Sequence, residues 1–103
     1  MSTEVRNNTA LERFEIYVDG DIAGYAEYQD TASERGFVHT EVYSMYEGQG
    51  IGRDLVRSAL DSSRAEGYGI LPLCPMVKHF VETHGEYVAS VPHWARERLG
   101  LPQ

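Results

Sequence analysis

"EGQGIGRDL", residues 47–55, places three glycines, Gly48, Gly50 and Gly52, on alternate positions and then runs into charged and apolar residues spaced like a helix. Glycine has no β-carbon to hold other atoms away. Such a run therefore marks a tight turn or a place where a ligand lies against bare backbone. The flanking residues show which elements it joins.

Upstream the period is two. In "RFEIYV", residues 13–18, Phe14, Ile16 and Val18 alternate with Glu15 and Tyr17, as in a half-buried strand. Asp19-Gly20 signals a tight hairpin. Then "IAGYAEYQ" (22–29) returns, "DTASERG" (30–36) reads as a polar loop, and "FVHTEVYS" (37–44) makes a third strand. Polar residues 1–10 read as a flexible N-terminus, leaving 11–103 as a single domain that starts with an antiparallel meander.

Downstream the period changes to that of a helix. From Ile51, apolar side chains recur at Leu55, Val56, Ala59 and Leu60, with Arg53, Asp54, Arg57, Asp61 and Arg64 on the other side, as far as a stop near Gly67. "YGILPLC" (68–74) is a short apolar run typical of a strand covered on both faces, and a strand reached across a helix is normally parallel to the one before it. Pro72 within it donates no ladder hydrogen bond, so it belongs where pairing stops. "PMVKHFVETHGEY" predicts a second helix with Pro75 in its first turn and Met76, Val77, Phe80 and Val81 facing inward. A short helical turn follows in the tail, packing Trp94 and Leu99. The fold class is α/β, an α+β mixed sheet built as a meander followed by strand, helix, strand, helix.

The glycines thus lie between the third strand and the first helix. There the unpaired N–H groups and positive end of a helix favour an anion, phosphate above all. Two well-known phosphate loops do not fit. A Walker A loop needs Lys-Ser/Thr after its last glycine, but Gly52 is followed by Arg53 and Asp54. A dinucleotide fingerprint needs a third glycine where Arg53 stands, and it opens an all-parallel sheet.

A third pattern does fit. "EGQGIG" resembles the Arg/Gln-x-x-Gly-x-Gly/Ala pyrophosphate loop of the GNAT superfamily of acyl-CoA-dependent N-acetyltransferases, with Gly50 and Gly52 in the two small-residue positions. "HTEV" before it, "LPLCP" after the helix and "HGEY" beyond are similar to a very small GNAT-like family, the YjdJ-type acetyltransferases, over roughly residues 11–91. The resemblance implies a minimal GNAT-like fold whose sheet splays open between the third and fourth predicted strands. Acetyl-CoA (coenzyme A) is then held in the cleft. Backbone groups of Val42 and Tyr43 would line the pantetheine arm, and the N–H groups of Gly48, Gln49, Gly50, Ile51 and Gly52 would hold the pyrophosphate. Glu47 departs from the pattern, which has Arg or Gln there; Arg53 can compensate for its charge.

Acetyl transfer needs a deprotonated amine, donors for the developing oxyanion and an acid for the departing thiolate. Cys74 precedes the second helix, where N-terminal amides favour a thiolate; a lone cysteine is equally a small apolar core residue, and both readings stay open. His39 and Glu41 alternate onto one face of the third strand and are candidates to pass the amine's proton to water. Tyr87 is a candidate donor to the thiolate, His79 and His84 read as surface and helix-end residues, and His93 carries no signal.

Composition limits the partners. The 103 residues carry 16 acids against 9 bases, a net charge of −7, which repels phosphate backbones and argues against nucleic acid. An acidic rim would attract a cationic amine acceptor, a small molecule or a protein lysine. One cysteine offers neither a disulfide nor a zinc site, so no metal is expected. No run is long enough to span a membrane, and no secretory leader is apparent, so the default compartment is cytoplasmic and the expected state a monomer or weak dimer. Two other classes keep the glycine loop without catalysis: an acyl-CoA-binding sensor or adaptor, and an interaction module in which the loop is only a turn.

Overall fold

The computed structural model describes all 103 residues. Five strands, β1 (Thr3–Asn8), β2 (Arg13–Val18), β3 (Asp21–Asp30), β4 (Glu34–Val42) and β5 (Gly69–Pro72), form one sheet in the order β1-β2-β3-β4-β5. The first four are antiparallel neighbours, and β5 joins β4 in parallel through helix α1 (Ile51–Ala65). Helices α2 (Pro75–Thr83) and α3 (His93–Leu99) follow, separated by a 3-10 turn over Gly85–Ser90. No helix is long and apolar enough to cross a membrane.

The mixed α/β layout agrees with the sequence pattern, with two corrections: the loop expected over 30–36 shrinks to 31–33, because Asp30 ends β3 and the ladder-paired Glu34–Gly36 begin β4, and the start of the chain is ordered. Residues 3–8, expected to be flexible, form β1 and pair with all of β2, from Thr3 opposite Val18 to Asn8 opposite Arg13. Val5 is its single apolar side chain, so it shows no hydrophobic alternation. Polar cross-strand contacts hold it instead: the Tyr28 hydroxyl donates to Asn7 Oδ1 at 2.7 Å, and the Arg6 guanidinium lies over the Tyr17 ring. The expected Asp19-Gly20 hairpin is present, both residues having positive φ as a two-residue turn requires.

One face of the sheet carries the core. Phe14, Ile16, Ala26, Tyr28, Phe37 and Ile70 meet Leu55, Val56, Ala59 and Leu60 of α1 and Val77, Phe80 and Val81 of α2 in a single buried cluster. Each fully buried large apolar side chain contributes about 1.5–3 kcal/mol. One tail expectation changes: Trp94 is exposed and donates from its indole to Glu34 at 3.0 Å, whereas Leu99 packs against the core, partly buried, as expected. Met76, expected inward, is exposed.

The opposite face of the sheet lies away from α1 and α2, and the start of α3 reaches it at the β4–β5 edge, where Trp94 bonds to Glu34 and Pro92 lies against Gly69. Arg13, Glu15, Tyr17, Tyr25, Glu27, His39 and Glu41 project from this face by strand alternation and register. Glu15 is nevertheless buried, because Asn8 (3.1 Å), Arg13 (2.8 Å) and Tyr17 (2.7 Å) all donate to its carboxylate. Burial alone would raise its pKa, but the hydrogen bonds from Tyr17, Arg13 and Asn8 outweigh it and hold the group below the ordinary carboxylate range.

Candidate active site

Pairing between β4 and β5 runs for four positions, from Glu34 opposite Gly69 to Phe37 opposite Pro72, and then ends. Two local features end it. A bulge leaves Val38 without a partner, since Phe37 faces Tyr28 while His39 faces Glu27; a bulge bends its strand and sharpens the twist. Beyond Pro72, which has no N–H, the amides of Leu73 and Cys74 both turn onto the Phe37 carbonyl, at 3.1 and 2.9 Å. The two strands part there, and from Val38 to Val42 the β5 side of β4 has no ladder partner.

Cys74 and Thr40 stand at the apex of this gap, on the helix side. Cys74 caps α2 without a side-chain hydrogen bond to it, is 3% exposed, and has its sulfur 3.2 Å from the Thr40 hydroxyl. Either atom can be the donor. His39 and Glu41 lie on the other face of β4, half exposed, with Nε2 3.7 Å from Oε1. The structure therefore brings His39 and Glu41 together but separates them from Cys74 by the thickness of the sheet. A reaction using both groups would have to take place in the gap between β4 and β5.

Tyr25, on β3, joins the open side. Its hydroxyl donates to Glu41 at 3.2 Å, and its ring lies 5.9 Å from that of His39 and 6.3 Å from that of Tyr43. Burial, then the charge and hydrogen bond of Glu41, raise the Tyr25 pKa, so this tyrosine stays protonated and donating. Neither Tyr25 nor Thr40 stood out in the sequence. Thr40 was legible by alternation, because a residue between His39 and Glu41 must face the helices.

At the mouth of the gap stands the N-terminus of α1. Gly50 caps it in the left-handed conformation (φ 76°), without a side-chain cap. The first intrahelical bond is from Asp54 to Gly50, at 3.1 Å, and the amides of Ile51, Gly52 and Arg53 find no acceptor in the protein. Gly48 also has positive φ (78°), so the turn itself asks for glycine there. Gly52 has a different reason. A β-carbon would come within 3.2 Å of the Met76 sulfur and 3.3 Å of a Val42 methyl, so its bareness lets α1 sit against β4 and α2. Gln49 and Glu47 are exposed, and the Arg53 guanidinium folds back over Gly50.

Val42 and Tyr43 differ in what they offer. The Tyr43 amide bonds to the Ala23 carbonyl of β3 at 2.8 Å, so it faces away from the gap. Backbone directions alternate along a strand, which turns the N–H and C=O of Val42, and of Thr40, toward it.

A cavity of about 290 Å³ adjoins the α1 N-terminus, lined by Gly52, Arg53, Met76, His79, Phe80 and His84. His84 stacks on Phe80 with ring centroids 4.0 Å apart, and its Nδ1 lies 2.9 Å from the Phe80 carbonyl oxygen. A larger depression, about 460 Å³, lies at the far end of α1 beside Asp61, Arg64 and Tyr68, remote from the gap. Tyr87 also belongs to that end. It is buried and donates to Asp61 at 2.7 Å, and burial with this bond raises its pKa; it is a strut between helices, not a donor in the gap.

A family model described as GCN5-related N-acetyl-transferase matches residues 13–91, the span that holds the splayed strands, the glycine turn and Cys74. The chain belongs to the GCN5-related N-acetyltransferase family. No curated protein matches it in sequence. Among solved structures, a GCN5-like protein from Staphylococcus aureus has 22% identity and a TM-score of 0.65, covering 86% of this chain and 87% of that one. The ribosomal-protein-S18-alanine N-acetyltransferase from Escherichia coli has 16% identity and a TM-score of 0.62, with 82% and 76% covered. AAC(6')-Iy, in complex with the bisubstrate analog CoA-S-monomethyl-acetylneamine, has 13% identity and a TM-score of 0.52, with 99% and 90% covered. At these identities the likeness is one of fold, and the family assignment rests on the match over residues 13–91.

Proposed function

We propose that the protein is an acetyl-CoA-dependent N-acetyltransferase of the small YjdJ type, acting on a primary amine. The observation that carries the reading is the coincidence of two unpaired sets of backbone groups. The free β5-side edge of β4 runs up to the three acceptorless amides of Ile51, Gly52 and Arg53. The first set suits an amide-bearing chain lying extended like an added strand, and the second suits a diphosphate at a helix N-terminus. Acetyl-CoA carries both groups, and it supplies the activated acetyl thioester.

In this reading Val42 and Thr40 hold the pantetheine arm through their backbones, and Gly48 to Arg53 hold the pyrophosphate. The cavity lined by Arg53, His79 and Phe80 receives the nucleotide end. The thioester then lies near the Thr40–Cys74 contact. His39 and Glu41, steadied by Tyr25, take the proton from the amine, directly or through water. Glu47 opposes the diphosphate at the exposed mouth.

The test compares ligands by thermal shift. Coenzyme A should protect the protein strongly and pantetheine, which lacks the diphosphate, only slightly. Equal protection would remove the assignment of the glycine turn. Acetylation of an amine panel then separates an enzyme from a non-catalytic acyl-CoA sensor.

A further inference from the structure

The sheet ends in two edges of different character. Short length, proline, lysine, a bulge or a covering element normally blunts an edge, because its unpaired row of N–H and C=O groups is a template for another strand. β5, at one end, has four residues, finishes on Pro72 and has Pro92 against Gly69. β1, at the other end, has six residues with no proline, glycine or lysine, and its register with β2 is unbroken from Thr3 to Asn8.

The ladder bonds fix which groups of β1 look outward. The Asp19 amide bonds to the Ser2 carbonyl at 2.8 Å, and on the other side of β2 the Tyr28 amide bonds to the Glu12 carbonyl at 2.9 Å. Backbone groups alternate along a strand, so Arg13, Glu15 and Tyr17 turn theirs to β1, where Asn8, Arg6 and Glu4 meet them. The N–H and C=O groups of Thr3, Val5 and Asn7 therefore form the outer row, and no backbone bond outside the ladder uses them.

We infer that β1 pairs antiparallel with β1 of a second copy of this chain, centred on Val5, and joins the two five-stranded sheets into one. A two-fold dimer requires antiparallel strands, and matching outer row to outer row leaves few registers. Centring on Thr3 or Asn7 overlaps half of the strand or less. Centring on Glu4 or on Arg6 sets that charge directly opposite its own copy, which is destabilising. With Val5 opposite Val5, each Glu4 faces the Arg6 of the other chain as a non-hydrogen-bonded pair, whose Cα atoms stand about 4.5 Å apart. Thr3 then meets Asn7, and the outer rows exchange about six hydrogen bonds.

The seam is its own complement, which is why the partner is a second copy. It carries one acid and one base, two positions apart, on a chain whose net charge is −7. Glu4 and Arg6 bond each other at 2.9 Å, and both side chains are more than half exposed, so each can turn to the opposite chain. Val5, partly buried against the core, gains the other Val5 beside it on the helix side. Six residues from each chain cover less than the about 1,200 Å² of a standard interface, which makes the dimer weak. The seam lies at the opposite edge of the sheet from the gap and needs nothing from the acyl-transfer reading.

Sedimentation equilibrium of the full chain, from about 10 µM to about 1 mM, should show monomer and dimer with a Kd of about 100 µM. Glu4→Arg and Arg6→Glu should each weaken self-association by about tenfold or more. Mixing these two variants should restore association, and so should combining both changes in one chain. By NMR, hydrogen exchange at the Thr3, Val5 and Asn7 amides should slow as concentration rises, while Glu4 and Arg6 stay protected throughout. Val5→Pro removes only an outward N–H and should give a monomer with an unchanged circular dichroism spectrum; if it fails to fold, the exposed Glu4 and Arg6 variants still decide. A chain monomeric at about 1 mM, a dimer that Glu4→Arg leaves as strong as wild type, or single variants that stay apart when mixed would each overturn the self-pairing.

Discussion

The Thr40 hydroxyl and the Cys74 thiol touch at 3.2 Å across the apex of the gap, tying the free length of β4 to the start of α2. A thiol this buried is poorly placed to carry an acetyl group to a bulky acceptor, whereas it can line the thioester end of the cleft. We expect direct transfer: Cys74→Ser should keep turnover within about tenfold of wild type, about 1.4 kcal/mol of barrier. Intact mass after incubation with acetyl-CoA alone should show no adduct that an added amine discharges at the turnover rate. Such an adduct would establish the covalent route.

Glu47 is exposed just ahead of the amides of Ile51 to Arg53. Glu47→Arg exchanges repulsion for attraction at the diphosphate and should tighten coenzyme A binding by about fivefold, roughly 1 kcal/mol at low salt. Calorimetry at two salt concentrations checks it, and the gain should shrink at the higher one. Unchanged affinity would mean that position 47 points away from the ligand.

Gly52 is packed against Met76 and Val42. Gly52→Val should lower stability by about 1–3 kcal/mol through overpacking, and it should also abolish protection by coenzyme A. Adding Met76→Ala should restore part of the stability, because the two changes share one contact. Chemical denaturation of the four variants in the cycle gives the coupling; strict additivity would contradict the packing described.

Glu15 gives the fold an acid-sensitive point. Its pKa lies below that of the unfolded chain, so its hydrogen bonds contribute fully above the ordinary carboxylate value of about 4.3 and are lost as pH falls through the lower, folded value. Glu15→Gln should cost about 1.5–3 kcal/mol at pH 7 and progressively less below pH 4. Denaturation midpoints of the two proteins should therefore converge in acid. Parallel curves down to pH 3 would show that the carboxylate charge does not matter.

The meander, α1 and β5 were legible because each has one buried face and a period that records it. Ile51, Leu55, Val56, Ala59 and Leu60 are all buried, as their spacing requires. β1 was hidden because its stability comes from ladder bonds and polar cross-strand pairs such as Tyr28 with Asn7, which leave no hydrophobic pattern. In the site, the alternation of His39 and Glu41 was readable, and so was the glycine turn. The Tyr25 hydroxyl on Glu41 depends on the register of β3 against β4, and the Thr40–Cys74 contact on where α2 begins, neither of which a local pattern records. Tyr87 misled for a related reason: its partner Asp61 lies on another helix.

Arg35, at the other end of β4, is 3% exposed, bonds through its guanidinium to Asp30, Ser63 and Glu66, and lies over the rings of Tyr28 and Tyr68. The strand is thus bolted at its root and free on one flank beyond the Val38 bulge, and it behaves as a cantilever. Bending should therefore concentrate past the bulge and let the width of the gap follow its occupant while the core stays still. Amide hydrogen exchange should record a gradient along this one strand, slow near Arg35 and Phe37 and fast toward Val42.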